Sequence, residues 1–174
     1  MNEIHPARQI QRKKRIWKGV WYTLLTLFCF VLYSDPHLML YGVRPNLLIP
    51  LFLCCAMFEG ILPASVLGAV CGLLTDMVSP LPFATHGLLF FLAAFGVAVL
   101  MQALLRSVIV NALLLTCAVS TVLTTVEFFA LYGAEANAVL FLRYFLPGIL
   151  LTTAGAAVLF YPIRLIAKKL RFVL

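Results

Sequence analysis

Asn46 to Asp76 reads NLLIPLFLCCAMFEGILPASVLGAVCGLLTD. Asn46 to Phe58 is apolar, Glu59-Gly60 interrupts, and Ile61 to Thr75 is apolar again. At 1.5 Å per residue each piece reaches only about 20–23 Å as a helix, short of the roughly 30 Å hydrocarbon thickness of a bilayer. Two readings stay open, a pair of short spans or one re-entrant hairpin. In either, the chain returns to the side it left.

The composition around this stretch sets its solvent. Of 174 residues, 64% are hydrophobic and 11% are charged, where an ordinary soluble domain is roughly 45–50% apolar and about 25% charged. No water-soluble fold of this size hides so much apolar surface in one core. The solvent for most of the chain is lipid.

Working outward, a first span is expected from Trp17 to Tyr33, with Trp17, Trp21 and Tyr22 at one headgroup level and Tyr33 at the other. Asp35-Pro36 ends it, since proline disfavours helix in the residue before it. No small-x-small cleavage site follows, so this run reads as a retained helix rather than a secretory signal. After a loop holding Pro80 and Pro82, three longer spans are expected at Gly87–Leu105, Val108–Tyr132 and Val139–Tyr161. The fold class is all-α: a polytopic transmembrane helical bundle of about six helical segments, the second and third short. Residues 1–16 read as a polar basic tail, 17–163 as a single transmembrane domain, and 164–174 as a second basic tail lying as a short amphipathic extension on the surface.

The net charge of +7 has the distribution of membrane flanks rather than of a nucleic-acid surface, because no folded basic domain with interleaved aromatics is present. With six segments, Arg8, Arg12, Lys13, Lys14, Arg15 and Lys18 share a side with Arg106 and with Arg164, Lys168, Lys169 and Arg171. Arg44 and Arg143 fall on the other. These account for all 13 basic residues, and an 11:2 split favours an even number of crossings with both ends cytoplasmic. Arg12, Lys13, Lys14, Arg15, Lys168 and Lys169 are candidate contacts to anionic lipid headgroups.

Cys29, Cys54, Cys55, Cys71 and Cys117 all lie in apolar stretches with no C-x-x-C pair and no histidine at metal spacing, so they read as small buried hydrophobes. No metal or cofactor is expected. There is no G-x-S-x-G, no H-E-x-x-H and no Walker loop. Ser79, seven residues before His86, is a weak nucleophile candidate, and the chain reads as non-enzymatic.

Gly60, Ala64, Gly68, Gly72 and Asp76 follow one another at four-residue spacing, along one gently drifting helical stripe. Small residues at this spacing let another helix approach closely in lipid. The helix received is either one of the protein's own bundle or a partner's. Asp76 adds a carboxylate near a membrane helix end, costly unless paired or wet. Arg44, Asp76, His86, Glu127 and Arg143 fall at or near the external side and are candidates for one polar cluster. In it Asp76 or Glu127 would pair with an arginine, either to fix the loops, to bind a partner or to form a small-solute pocket. Thr116, Ser120, Thr124 and Glu127 line one side of the fifth span, where interhelical packing is the default and a transport path the alternative.

From Arg44 to about Leu92 the chain resembles the bacterial rod shape-determining protein MreD family. The resemblance rests on Arg44-Pro45-Asn46-Leu47-Leu48, on Phe58-Glu59-Gly60, on Gly68 to Asp76 with its Gly-x-x-x-Gly step and terminal aspartate, and on His86-Gly87-Leu88 after a proline-containing loop. It implies a non-enzymatic scaffold of the cell-elongation machinery in the bacterial cytoplasmic (inner) membrane. Such a scaffold associates with MreC and, through it, with MreB and with RodA and its class B penicillin-binding transpeptidase in peptidoglycan synthesis. The family's helical arrangement is also similar to the substrate-binding components of energy-coupling-factor transporters. That similarity supplies an alternative function, binding of a vitamin-like solute.

Overall fold

The structure, a computed structural model, describes residues 4–35, 45–80, 82, 84–103, 108–133, 139 and 141–169. Among these residues there are six α-helices and no strand: α1 (Ile4–Ser34), α2 (Leu48–Phe58), α3 (Ile61–Asp76), α4 (Thr85–Ala103), α5 (Ile109–Tyr132) and α6 (Leu146–Lys169). A π-helical turn at Phe141–Phe145 leads into α6. Four stretches are long and apolar enough to cross a membrane: α1 from Ile16, α4, α5, and the run Phe141–Lys169. The chain is a helical membrane protein.

The two short helices form a hairpin at the centre. Pro50 and Pro63 each stand third in their helix, where the missing N–H would lack an intrahelical acceptor anyway. Glu59 and Gly60 are both extended, and these two residues reverse the chain. Leu48 to Met57 are all buried, and α2 touches every other helix. A helix that is apolar all round belongs inside. At about 16 Å, α2 is too short to cross a bilayer by itself, so its backbone is sheltered by protein on all sides. α3 packs along α4 over most of its length, whereas α4 barely meets α5.

The bundle has two distinct ends. At one, Lys18 Nζ lies 2.6 Å from Glu59 Oε2 and the Tyr22 hydroxyl donates to Glu59 Oε1 at 2.8 Å, tying α1 to the α2–α3 turn. At the other, residues from the last turns of α1, α3 and α5 and the first turns of α2, α4 and α6 converge. The helices therefore alternate in direction, and the start of α1 and the end of α6 share the Glu59 end.

Both basic flanks are helical where they are described. The stretch before Trp17 is helix continuous with the first span, from Ile4 to Ser34. Arginine, lysine, glutamine and alanine are good helix formers, and Pro6 sits in the first turn where it is tolerated. Likewise Arg164 to Lys169 continue α6 as helix past Pro162. Lys13, Lys168 and Lys169 are exposed, the last two at a helix C-terminus that favours cations. Arg44, Arg106, Arg171 and the side chains of Arg12, Lys14 and Arg15 lie outside the described residues. Trp17 and Trp21 are exposed, and the five cysteines are free, four of them buried and Cys117 half-buried.

Candidate functional site

Asp76 closes α3, and α4 opens nine residues later. The first N–H groups of a helix have no partner within it. Here Asp76 supplies one: Oδ1 accepts from the His86 backbone N–H at 3.0 Å, and Oδ2 accepts from that of Gly87 at 3.1 Å. The same Oδ1 lies 2.8 Å from His86 Nδ1. A carboxylate in its ionised form only accepts, so Nδ1 carries the hydrogen and Nε2 is turned the other way. The Asp76 side chain has no exposed surface and that of His86 is 6% exposed. A charge is tolerable at this depth because donors and the positive end of α4 surround it.

Glycines allow that approach. A Cβ on Gly72 would strike the carbonyl oxygen of His86 and stand 2.6 Å from the Gly87 Cα. On Gly68 it would lie 2.7 Å from both Ala94 Cβ and the Phe90 carbonyl oxygen. Gly87 answers from α4, where a Cβ would press on Leu73 at 3.1 Å. Ala64 is fully buried in the core, while Gly60 is exposed in the turn, its nearest neighbour Pro63 at 3.8 Å. The face read as a possible seat for a partner's helix is thus occupied by the chain's own α4 at Gly68 and Gly72.

On its other side His86 meets α5. Nε2 lies 3.9 Å from Glu127 Oε1, and the Glu127 side chain is 32% exposed. Both atoms border a cavity of about 310 Å³ where α4 and α5 splay apart. Tyr33, Asn46 and Thr152 contribute polar edges, and Tyr132 and Phe145 an aromatic wall. Asn46 fixes the start of α2: its N–H donates to Thr152 Oγ1 at 3.2 Å, and its Oδ1 accepts from the Leu48 N–H at 3.2 Å. Phe128, Tyr132, Phe141 and Phe145 stack into one cluster that joins α5 to the π-helical turn.

Of the expected external cluster, Asp76, His86 and Glu127 come together. Among the described residues the partners of Asp76 are His86 and the α4 backbone. Arg143 is exposed on the π-helical turn, and Arg44 lies outside the described residues. Along α5, Thr116 and Ser120 are fully buried and their hydroxyls have no hydrogen-bond partner among the described residues, while Thr124 donates to the Ser120 carbonyl. Sequence reading missed Tyr33, Asn46, Tyr132, Phe145 and Thr152 as neighbours. Two signals were present: an aromatic-rich run at Phe141–Phe145, and the polar Asn46 and Thr152 set in apolar segments.

Among the described residues no group of three or more His, Cys, Asp or Glu side chains could hold a metal ion. Ser79 stands in the loop after α3, its N–H donating to the Thr75 carbonyl at 3.0 Å. No family model matches the chain, and no curated protein or solved structure matches it either.

Proposed function

We propose that this chain is a non-enzymatic scaffold of the bacterial cell-elongation machinery. It sits in the cytoplasmic membrane with both termini in the cytoplasm, as the 11:2 division of basic residues favours. The observation that carries the reading is the convergence of the residues on which the MreD resemblance rests. Gly68, Gly72, Asp76, His86 and Gly87 are spread over two helices separated by a loop, yet all are contact residues of one joint. Apolar matches between membrane helices arise cheaply by composition. A set with a shared steric and electrostatic task does not.

In this reading the chain presents a rigid bundle to MreC, and through it to MreB, RodA and a class B penicillin-binding transpeptidase. With the Gly68/Gly72 face taken by α4, the partner's helix meets another face. The exposed Lys13, Lys168 and Lys169 lie against anionic lipid. The test is gentle purification of the tagged protein from its native cells, with mass spectrometry of what accompanies it. Recovery of a single-span coiled-coil protein together with wall synthases supports the scaffold. Their absence from a folded preparation overturns it.

One observation favours a second reading. The cavity stands at the end opposite the Glu59 turn, external in this orientation, where a substrate-binding transport component would hold its solute. Recovery of paired ATPases with a coupling membrane protein in the same experiment would establish that reading instead.

A further inference from the structure

The cavity has a definite chemical preference. Nδ1 of His86 is committed to Asp76, so the nitrogen that borders the cavity is Nε2. It faces the Glu127 carboxylate across 3.9 Å, too far for a direct hydrogen bond. The Glu127 carboxylate can only accept, and with a third of its side chain exposed it is open to a donor from the cavity. Tyr33, Tyr132 and Phe145 line the same cavity, and aromatic faces attract cations. Among the described lining residues there is one carboxylate and no lysine or arginine.

Three helices start at this end, and helix N-termini ordinarily favour anions. Two of those starts are already spoken for. Asp76 takes the N–H groups of His86 and Gly87. At α2, Leu48 N–H goes to the Asn46 side chain, Ile49 N–H goes to the Asn46 carbonyl, and Pro50 has none to offer. The third start, α6, is entered through helical backbone rather than from a loop. What the cavity offers a ligand is acceptors and aromatic faces.

We propose that this cavity binds an organic ammonium group, held by Glu127 and flanked by Tyr33, Tyr132 and Phe145. At about 310 Å³ it admits a small amine or a lipid headgroup, near the lower limit of ligand pockets at roughly 300 Å³. The inference concerns only the occupant of the cavity. It can fail while wall synthases still co-purify, and it can hold if they do not.

The test uses the full chain, delipidated in mild detergent. Thermal unfolding is read by a thiol-reactive dye, for which the buried Cys29, Cys54, Cys55 and Cys71 are reporters. Three probes share one ring and differ in charge: phenethylammonium, 2-phenylethanol and phenylacetate. The ammonium should raise the midpoint saturably and the other two should not. Glu127→Gln should weaken the ammonium effect at least about tenfold in apparent affinity. Tyr132→Leu, read in parallel and decisive should Glu127→Gln not fold, should weaken it about threefold through the lost cation–π contact. No shift with the ammonium, or an equal shift with the alcohol or the carboxylate, overturns the proposal. Native mass spectrometry of the preparation before delipidation separates the two sources. Retained phosphatidylethanolamine that phenethylammonium displaces assigns the site to a lipid headgroup, and ammonium binding without retained lipid assigns it to a free amine.

Discussion

The α3–α4 joint and the α4–α5 seam lie on two sides of the same histidine, and each brings a carboxylate to it. Asp76 accepts hydrogen bonds from two backbone N–H groups and lies against His86 Nδ1, with no exposed side-chain surface. Glu127 stands 3.9 Å from the other ring nitrogen with a third of its side chain exposed. The difference comes from how close the backbones can come. Gly68, Gly72 and Gly87 let α3 and α4 touch, whereas α5 contains no glycine and presents side chains to its neighbours. Contact between backbones brings helix-end N–H groups onto a carboxylate and makes it structural. Separation leaves a carboxylate free to meet something else.

The sharpest way to break this comparison is to force the joint open. Gly72→Ala places a methyl group against the His86 carbonyl and the Gly87 Cα, backbone atoms that cannot rotate aside. The expected cost is about 3 kcal/mol, the upper part of the overpacking range, seen as a large drop in the thermal midpoint in detergent. A midpoint equal to wild type would show that the helices are not in contact there.

Next in size comes the exchange of charge for amide at the two carboxylates. In Asp76→Asn an NH2 group must replace one oxygen, and it then faces a backbone donor with no acceptor in reach. The expected loss is about 2 kcal/mol, as for a buried hydrogen bond to a charged group. Glu127→Gln should move stability by less than about 0.5 kcal/mol, as at a surface position. Equal losses in the two variants would erase the distinction between joint and seam.

How much of this was legible in the sequence follows the same divide. The helices announce themselves as apolar runs closed by Glu59-Gly60, by Asp35 before Pro36 and by the Pro80/Pro82 loop; the ends of α2 to α5 fall close to those expected, while α1 begins earlier and α6 begins and ends later. The glycine stripe is visible as spacing, yet spacing does not say which helix fills it. The cap on α4 was partly legible too. An aspartate ending one helix, a short loop, and His86-Gly87 opening the next is a pattern that backbone N–H groups explain better than an arginine partner does. The cavity was not legible. Asn46 and Thr152, 106 positions apart, share no local pattern, and they meet only because α2 is sunk into the bundle.

A smaller effect concerns the polar stripe below the seam. The hydroxyls of Thr116 and Ser120 are buried without partners among the described residues, so in an apolar surrounding they cost stability rather than add to it. Thr116→Val and Ser120→Ala should raise stability by up to about 1 kcal/mol each, since removing an unsatisfied group spares its desolvation. Destabilisation of a similar size would mean that water or another ligand reaches below the cavity floor. The seam would then be a deeper polar channel than the comparison allows.

The smallest effect is the control that gives the largest its meaning. Gly96 lies on α4, the same helix that Gly72 presses against, but an added Cβ there meets nothing within 4 Å. Alanine at an exposed helix interior lowers the backbone entropy of the unfolded chain and is favoured over glycine by about 0.5–1 kcal/mol. Gly96→Ala should therefore hold or slightly raise the midpoint, opposite in sign to Gly72→Ala. If both variants fall together, α4 is intolerant of added bulk wherever it occurs, and the joint has no special claim. If the signs divide as expected, glycine at this spacing acts through one contact, the place where α4 begins against α3, and its cost elsewhere on the helix is only entropic.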